Sequence, residues 1–411
     1  MTSAVTHKEC SVDSFDALDP AFVADPYPFY ARLRAEAPVH FVASVGEWWI
    51  TKYSYAKLAL ADRRLTTQRE KVMAVVPRRG SGSCPWTPNM MELDPPEHDR
   101  VRALVGKAFT REVVQRLRSR IEEIAHELVD LVEGDGRMDV VADYAYPLPT
   151  FVLCELMGLP ASEREQFRAW TTRIHLKFDQ AQPPEVRQQG EEAYDAAREY
   201  LSRVISERQV RPGADLISAL LSADDHGDRL ALPELLSNLT FFLYAGFETT
   251  ARMISAGVYT LLSHPDQLTL LRGHPELTQT AVEELLRYTS PGQRGMERWA
   301  LTDLELGGKL IHKGDRLSIV LGAANRDPEV FAEPDRLDIT RKHNPHLVFA
   351  RGTHACLGSF LAITELEIAF SVLLRRLPRL ELATPAPTWE PNTKLRGMAA
   401  LHVRFQAGGR R

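Results

Sequence analysis

Apolar residues recur at three- and four-residue spacing along much of the chain. That period predicts helices over Glu112–Val132, Glu185–Gln209, Pro233–Leu262, Leu277–Tyr288 and Leu357–Leu374. Pro233 falls in the first turn of its helix, where a missing N–H costs least. Extended patterns are fewer. Val39–Phe41 and Trp48–Thr51 flank Val45-Gly46 and read as a hairpin. Leu304–Leu306 runs into a Gly307-Gly308 turn, and Leu317–Leu321 and Leu401–Phe405 are further short strands. The segment Pro77–Pro88, rich in Pro, Gly and Ser, is expected to be a loop. With no repeat and no linker, the expectation is one domain over residues 1–411, mainly α with a minor antiparallel β part.

One apolar stretch, Leu239–Leu262, resembles a membrane helix. Glu248 and Arg252 lie at its centre, and charges there are expensive in lipid, so it reads as a long helix through a protein core. Composition agrees. Of 411 residues, 44% are hydrophobic and 26% charged, enough for a sizeable core and too apolar for a disordered chain. A net charge of −5 argues against general binding to nucleic acid or an anionic membrane. The four cysteines (Cys10, Cys84, Cys154 and Cys356) form no C-x-x-C pair and no disulfide framework. Met1–Asp19 has no apolar signal core. A reducing, cytoplasmic setting is expected.

Charge is uneven along the chain. From His98 to Arg120, seven basic residues (Arg100, Arg102, Lys107, Arg111, Arg116, Arg118 and Arg120) face only Asp99 and Glu112. Such a run is most often a solvated helix face; the sharper reading is a docking patch for an acidic protein.

Several motifs carry candidate chemistry. In Phe349-Ala350-Arg351-Gly352-Thr353-His354-Ala355-Cys356-Leu357-Gly358, glycines allow close backbone approach around a cysteine just ahead of a helix. The helix dipole and free N–H groups there stabilise a thiolate, suiting Cys356 as a metal ligand or nucleophile; an inert buried cysteine is the plainer alternative. Zinc would need two ligands beyond His354 and Cys356, and no matching cluster exists. Glu248 and Thr249 lie in Ala245-Gly246-Phe247-Glu248-Thr249-Thr250, inside the apolar helix. They read either as a Glu248–Arg252 pair with Thr249 bonded back to Ala245, or as an acid–alcohol proton relay facing a site opened by two small residues. Glu284 and Arg287 share a helix face, and His98 and Arg102 could jointly hold an anion.

The order His-x-x-x-Arg, Ala-Gly-x-Glu-Thr-Thr, Glu-x-x-Arg, Phe-x-x-Gly-x-His-x-Cys-x-Gly resembles the cytochrome P-450 superfamily, its soluble bacterial branch best. The likeness runs from Ala24-Asp25-Pro26-Tyr27-Pro28 to Leu395-Arg396-Gly397 and the strand ending at Phe405. It implies haem b between the long central helix and the cysteine-loop helix, with Cys356 as the iron ligand. His98, Arg102, Arg298 and His354 would hold the propionates, and Glu284 and Arg287 would lock the meander. Glu248 and Thr249 would bring protons to dioxygen. The implied activity is haem-thiolate monooxygenation of a small or medium organic substrate, in bacterial secondary metabolism, with electrons from an acidic ferredoxin and its reductase. Arg100–Arg120 and Arg351 would form the docking face. A non-catalytic haem scaffold and a peroxide-using or rearranging enzyme are the alternatives. Trp86, Phe178, Ala245, Gly292 and Met398 would line the substrate pocket. Two departures stand out: Ala350 replaces the usual first glycine of the loop, and Leu337 a usual Phe.

Overall fold

The computed structural model describes residues 19–72, 87–178, 182–225, 227–384, 386–392 and 394–407. Most of the expected Pro77–Pro88 loop, Trp86, Cys10 and Cys84 lie outside them.

The central element is the helix Leu232–Ser263. Pro233 stands in its first turn, and Glu234 reaches back to accept from the Ala231 N–H at 2.9 Å. Apolar residues surround it on nearly every side, which suits a helix buried all round. Its polar side chains bond locally or to nearby backbone. The Ser237 hydroxyl donates to the Thr87 carbonyl, Asn238 accepts from the Met90 N–H, and Thr240 donates to the Leu236 carbonyl. Helices Pro147–Met157, Arg164–Phe178, Pro184–Val210, Thr278–Thr289 and Ser359–Arg376 pack against it. Where Ser359–Arg376 crosses, Gly257 allows the approach: a Cβ there would lie 2.4 Å from the ring of Phe370. No described helix is long and apolar enough to cross a membrane.

The five expected helices form within a few residues of their predicted ends. Periodicity alone passed over Tyr27–Glu36, Tyr53–Ala61, Pro147–Met157, Arg164–Phe178, Leu216–Ser222 and Pro265–Gly273. Pro147–Met157 shows why: eight of its eleven residues are buried, so no polar face reveals a period. The hairpin forms as Val39–Val42 and Glu47–Ile50, with Gly46 at φ +64° in the turn. It joins a five-stranded sheet with Arg316–Ile319, Gly295–Ala300 and Leu65–Thr66. Pairing there is antiparallel except between Glu47–Ile50 and Arg316–Ile319, which run parallel. The strand expected over Leu317–Leu321 ends at Ile319, because the chain turns into the short buried helix Leu321–Ala324.

Glu284 and Arg287 are fully buried and joined through two 2.8 Å contacts. Arg287 also donates to the Asn325 and Pro334 carbonyls, while Glu284 accepts from Arg341 and the Asp338 N–H. One buried ion pair thus collects the irregular chain from Asn325 to Arg341, whose backbone groups have few regular partners.

Candidate active site

The cysteine loop is a set of tight turns. Ala350 N–H donates to Leu347, Ala355 N–H to Gly352 and Cys356 N–H to Phe349. Ala350 (φ +54°) and Gly352 (φ +74°) take the left-handed conformation. The glycine that Ala350 replaces would adopt it without strain. Helix Ser359–Arg376 starts three residues past Cys356. The cysteine is solvent-accessible, yet the chain packed around it pushes its thiol pKa up, against the Gly358 N–H and the charge of Arg102. Such a thiol is a poor free nucleophile. Among the described residues no group of three His, Cys, Asp or Glu side chains could hold a metal ion.

The four residues expected beside Cys356 come together from three separate segments. His98 and Arg102 share helix Glu97–Gly106, Arg298 lies on strand Gly295–Ala300, and His354 is in the cysteine loop. The His98 and His354 rings are 4.5 Å apart, centroid to centroid. Each residue keeps one buried polar atom without a hydrogen-bond partner among the described residues: His98 Nε2, Arg102 Nη1, Arg298 Nη2 and His354 Nδ1. A buried polar atom left unpaired costs about 1–3 kcal/mol. Four in one cluster, two of them guanidinium donors, fit the carboxylates of a bound haem. Burial, with the charges of Arg298, His98 and Arg102, pulls the His354 pKa down to about 3, so its ring is neutral. Burial pulls that of Arg298 down to about 10, opposed by Asp94. Asp94 itself accepts from Lys71, Thr66 and Thr67.

On the central helix, Ala245, Gly246 and Thr249 keep accessible surface within an otherwise buried stretch. The Thr249 hydroxyl donates to the Ala245 carbonyl at a long 3.3 Å. Glu248 is fully buried; its Oε1 accepts from Tyr146 Oη and Arg252 Nε, both at 2.8 Å, while Oε2 has no partner among the described residues. Burial pushes the Glu248 carboxyl up, but Arg252, His175 and the Tyr146 hydroxyl overcome it and hold it below the usual range. Burial pulls the His175 pKa down; its Nε2 sits 3.0 Å from the Tyr244 carbonyl. Arg252 continues to Glu390 Oε2 at 2.6 Å and to the Leu395 carbonyl at 3.4 Å. The Glu248–Arg252 pair was legible from its i,i+4 spacing. Tyr146, His175 and Glu390 arrive from three distant segments and left no local signal.

Of the pocket residues, Ala245 stays accessible, and a Cβ on Gly292 would meet no atom within 4 Å. Gly292 pairs with Leu395 as an isolated antiparallel bridge, which ties the stretch after Pro291 to the C-terminal hairpin. Met398 is 1% exposed, within the main hydrophobic cluster. Trp86 and the Phe178 side chain lie outside the described residues.

The basic excess between His98 and Arg120 does not persist as one free face. Arg100 pairs with Asp228 and Glu234, Lys107 with Asp225, Arg118 with Glu367, and Arg120 with Glu123, Glu127 and Glu155. Counting charge along the sequence missed acids that folding brings from Asp224–Glu234 and from neighbouring helices. Arg102 belongs to the unpaired polar cluster instead.

Comparison with known proteins agrees with this geometry. The family model described as Cytochrome P450 matches residues 48–273 and 271–394. Cytochrome P450 107B1 of Saccharopolyspora erythraea is 41% identical over 400 residues, covering 94% of this chain and 97% of that protein. Cytochrome P450 monooxygenase PikC of Streptomyces venezuelae is also 41% identical over 400 residues, covering 95% of this chain and 94% of that one. The solved structure of the bacillaene polyketide synthase cytochrome P450 PksS of Bacillus subtilis superposes with a TM-score of 0.87 at 36% identity, covering 95% of this chain and all of that one. With the motifs, the fold and these relatives in agreement, the chain belongs to the cytochrome P450 family and is a haem-dependent monooxygenase.

Proposed function

We propose that this monooxygenase inserts one oxygen atom into a medium-sized natural-product intermediate of polyketide type, in bacterial secondary metabolism. The observation that carries the placement of the reaction is the accessible Cys356 together with four buried polar atoms of His98, Arg102, Arg298 and His354 that have no partner among the described residues. The substrate class is supported by PksS, a polyketide biosynthesis cytochrome P450, and by the small residues Ala245 and Gly292.

Haem bound there supplies the oxidation, and a thiolate ligand favours O–O cleavage. The chain supplies orientation and protons. His98, Arg102, Arg298 and His354 would hold the group through its carboxylates. The accessible Thr249 Oγ1, loosely held by Ala245, donates a proton within the site. Glu248 Oε2, without a hydrogen-bond partner among the described residues, is the base of the relay: its carboxylate first takes up a proton that originates in solvent and then passes it on to restore the Thr249 hydroxyl. This intact acid–alcohol pair supports an oxygen-activating enzyme over a non-catalytic scaffold.

Electrons are assigned to an acidic ferredoxin. The docking face is reassigned to Arg111 and Arg116 with Arg351 of the cysteine loop; all three are exposed and form no salt bridge with another described residue. Reversing Arg111 or Arg351 should slow reduction by ferredoxin in a salt-dependent way. Reversing Arg100 or Lys107 should change it little.

The test of the function is a macrolactone panel read by the shift of the haem Soret band, followed by product analysis with ferredoxin, its reductase and NADPH. Tight binders that are oxygenated support the reading. Soret shifts without any oxygenated product across the panel would favour the scaffold. Cys356→Ser should abolish the thiolate-type spectrum of the reduced carbon monoxide complex.

A further inference from the structure

Arg252 is shared between two carboxylates. Its guanidinium reaches Glu248 Oε1 at 2.7 Å on one side and Glu390 Oε2 at 2.6 Å on the other. Its side chain is 3% exposed, that of Glu248 is fully buried, and Glu390 keeps 26%. A third contact, to the Leu395 carbonyl, joins it to the hairpin that pairs with Gly292. Gly397 makes room: a Cβ there would lie 1.9 Å from Arg252 Nη1. Among the described residues the donors to Glu248 converge on Oε1, which leaves Oε2 as the oxygen able to exchange a proton.

We propose that Arg252 is a positioning residue that holds Glu248 ionised with Oε2 free, and that Glu390 moderates this grip, so that the C-terminal hairpin sets how readily protons reach the site. The proposal rests on the reading of Glu248 as a proton relay. A cation shared between two anions binds each less firmly than it binds one alone. The hairpin is also tied to Gly292 through the Leu395 bridge, next to the stretch expected to line the substrate pocket. A substrate pressing on it therefore acts on Glu390, on Arg252 and through them on Glu248.

Among the described residues the groups that act on Glu248 are Arg252 on its own helix, Tyr146 ahead of helix Pro147–Met157 and His175 on helix Arg164–Phe178, while Glu390 on the hairpin side contacts Arg252. Of these Arg252 is the full positive charge in contact. Its removal leaves a buried carboxylate with one hydroxyl partner, a state that favours protonation.

The test uses the holoprotein with NADPH, a plant-type ferredoxin and its reductase, without added substrate. The readouts are hydrogen peroxide released per NADPH, infrared difference spectra of carboxyl groups against pH, and thermal unfolding. Arg252→Met should add a protonated-carboxyl band that persists to higher pH than in the parent and vanishes in the Glu248→Gln, Arg252→Met double variant. Its peroxide fraction should rise roughly threefold or more. Glu390→Gln, nearly isosteric and partly exposed, should raise the peroxide fraction with Glu248 still ionised and unfolding little changed. If Glu248→Gln raises peroxide while Glu390→Gln and Arg252→Lys both stay at the parent value, the positioning role is wrong and the relay survives. If Glu248→Gln itself leaves peroxide unchanged, the relay reading falls. A purely structural Arg252 would lower the unfolding temperature with neither a new band nor a change in peroxide.

Discussion

Replacing Gly257 by alanine tests whether close approach of two helices sets the frame of the site. Gly257 lies in the central helix, where helix propensity alone favours alanine by about 0.8–1.0 kcal/mol. A Cβ there would lie 2.4 Å and 2.9 Å from two ring atoms of Phe370, and 3.5 Å from a third. Phe370 is 1% exposed and packed on all sides, so its ring cannot swing away as a long flexible side chain would. Overpacking of this kind costs about 1–3 kcal/mol. The difference predicts net destabilisation of about 1 kcal/mol. Unfolding entropy of roughly 2.1 cal/mol/K per residue makes that worth only about 1 °C in a chain of 411 residues. Denaturant midpoints are therefore the better assay, in a cycle with Phe370→Leu. Phe370→Leu alone should destabilise by leaving a cavity, while the double variant should recover part of that loss. A coupling energy of about 1 kcal/mol or more is expected, against the 0.3–0.5 kcal/mol scatter typical of independent sites. Gly257→Ala more stable than the parent, or coupling within that scatter, would refute the reasoning. Because Ser359–Arg376 starts just past Cys356, haem dissociation should quicken in Gly257→Ala and slow again in the double variant.

Arg287→Ala should destabilise by about 3 kcal/mol, because buried Glu284 keeps only Arg341 as a charged partner and the Asn325 and Pro334 carbonyls lose their donor; a denaturation midpoint near the parent's would contradict this. Burial pushes the Glu365 carboxyl up to about 8. Its folded form therefore holds a proton that the unfolded chain releases near pH 4–5, so its contribution to stability falls as pH rises between those values and levels off above about 8. Glu365→Gln should flatten that slope in pH-dependent denaturation, and an unchanged slope would count against a buried neutral carboxyl. Ala350→Val should cost more than about 1 kcal/mol through its left-handed backbone. Ala350→Gly should stay within about 1 kcal/mol of the parent, as relief of strain offsets added chain freedom; equal midpoints for both would rule out strain at this position.

Local pattern settled much of this protein. Helical period located the central helix, and charges at Glu248 and Arg252 assigned it to a protein core rather than a membrane. Spacing placed Glu284 with Arg287 and His98 with Arg102, because three- and four-residue intervals bring side chains together within one helix. The residues around Cys356 and their order along the chain carried the family. Tertiary structure decided whatever depended on segments far apart in sequence. It set Arg298 beside His354, brought Tyr146, His175 and Glu390 to the Glu248–Arg252 pair, and covered much of the basic run after His98 with acids from elsewhere. It also placed Ala350 in the left-handed region and fixed Gly257 against Phe370. The physical reason is range. Helical period and i,i+4 contacts are set by neighbours along the chain, whereas burial, charge compensation and close packing belong to whichever surfaces the fold brings together.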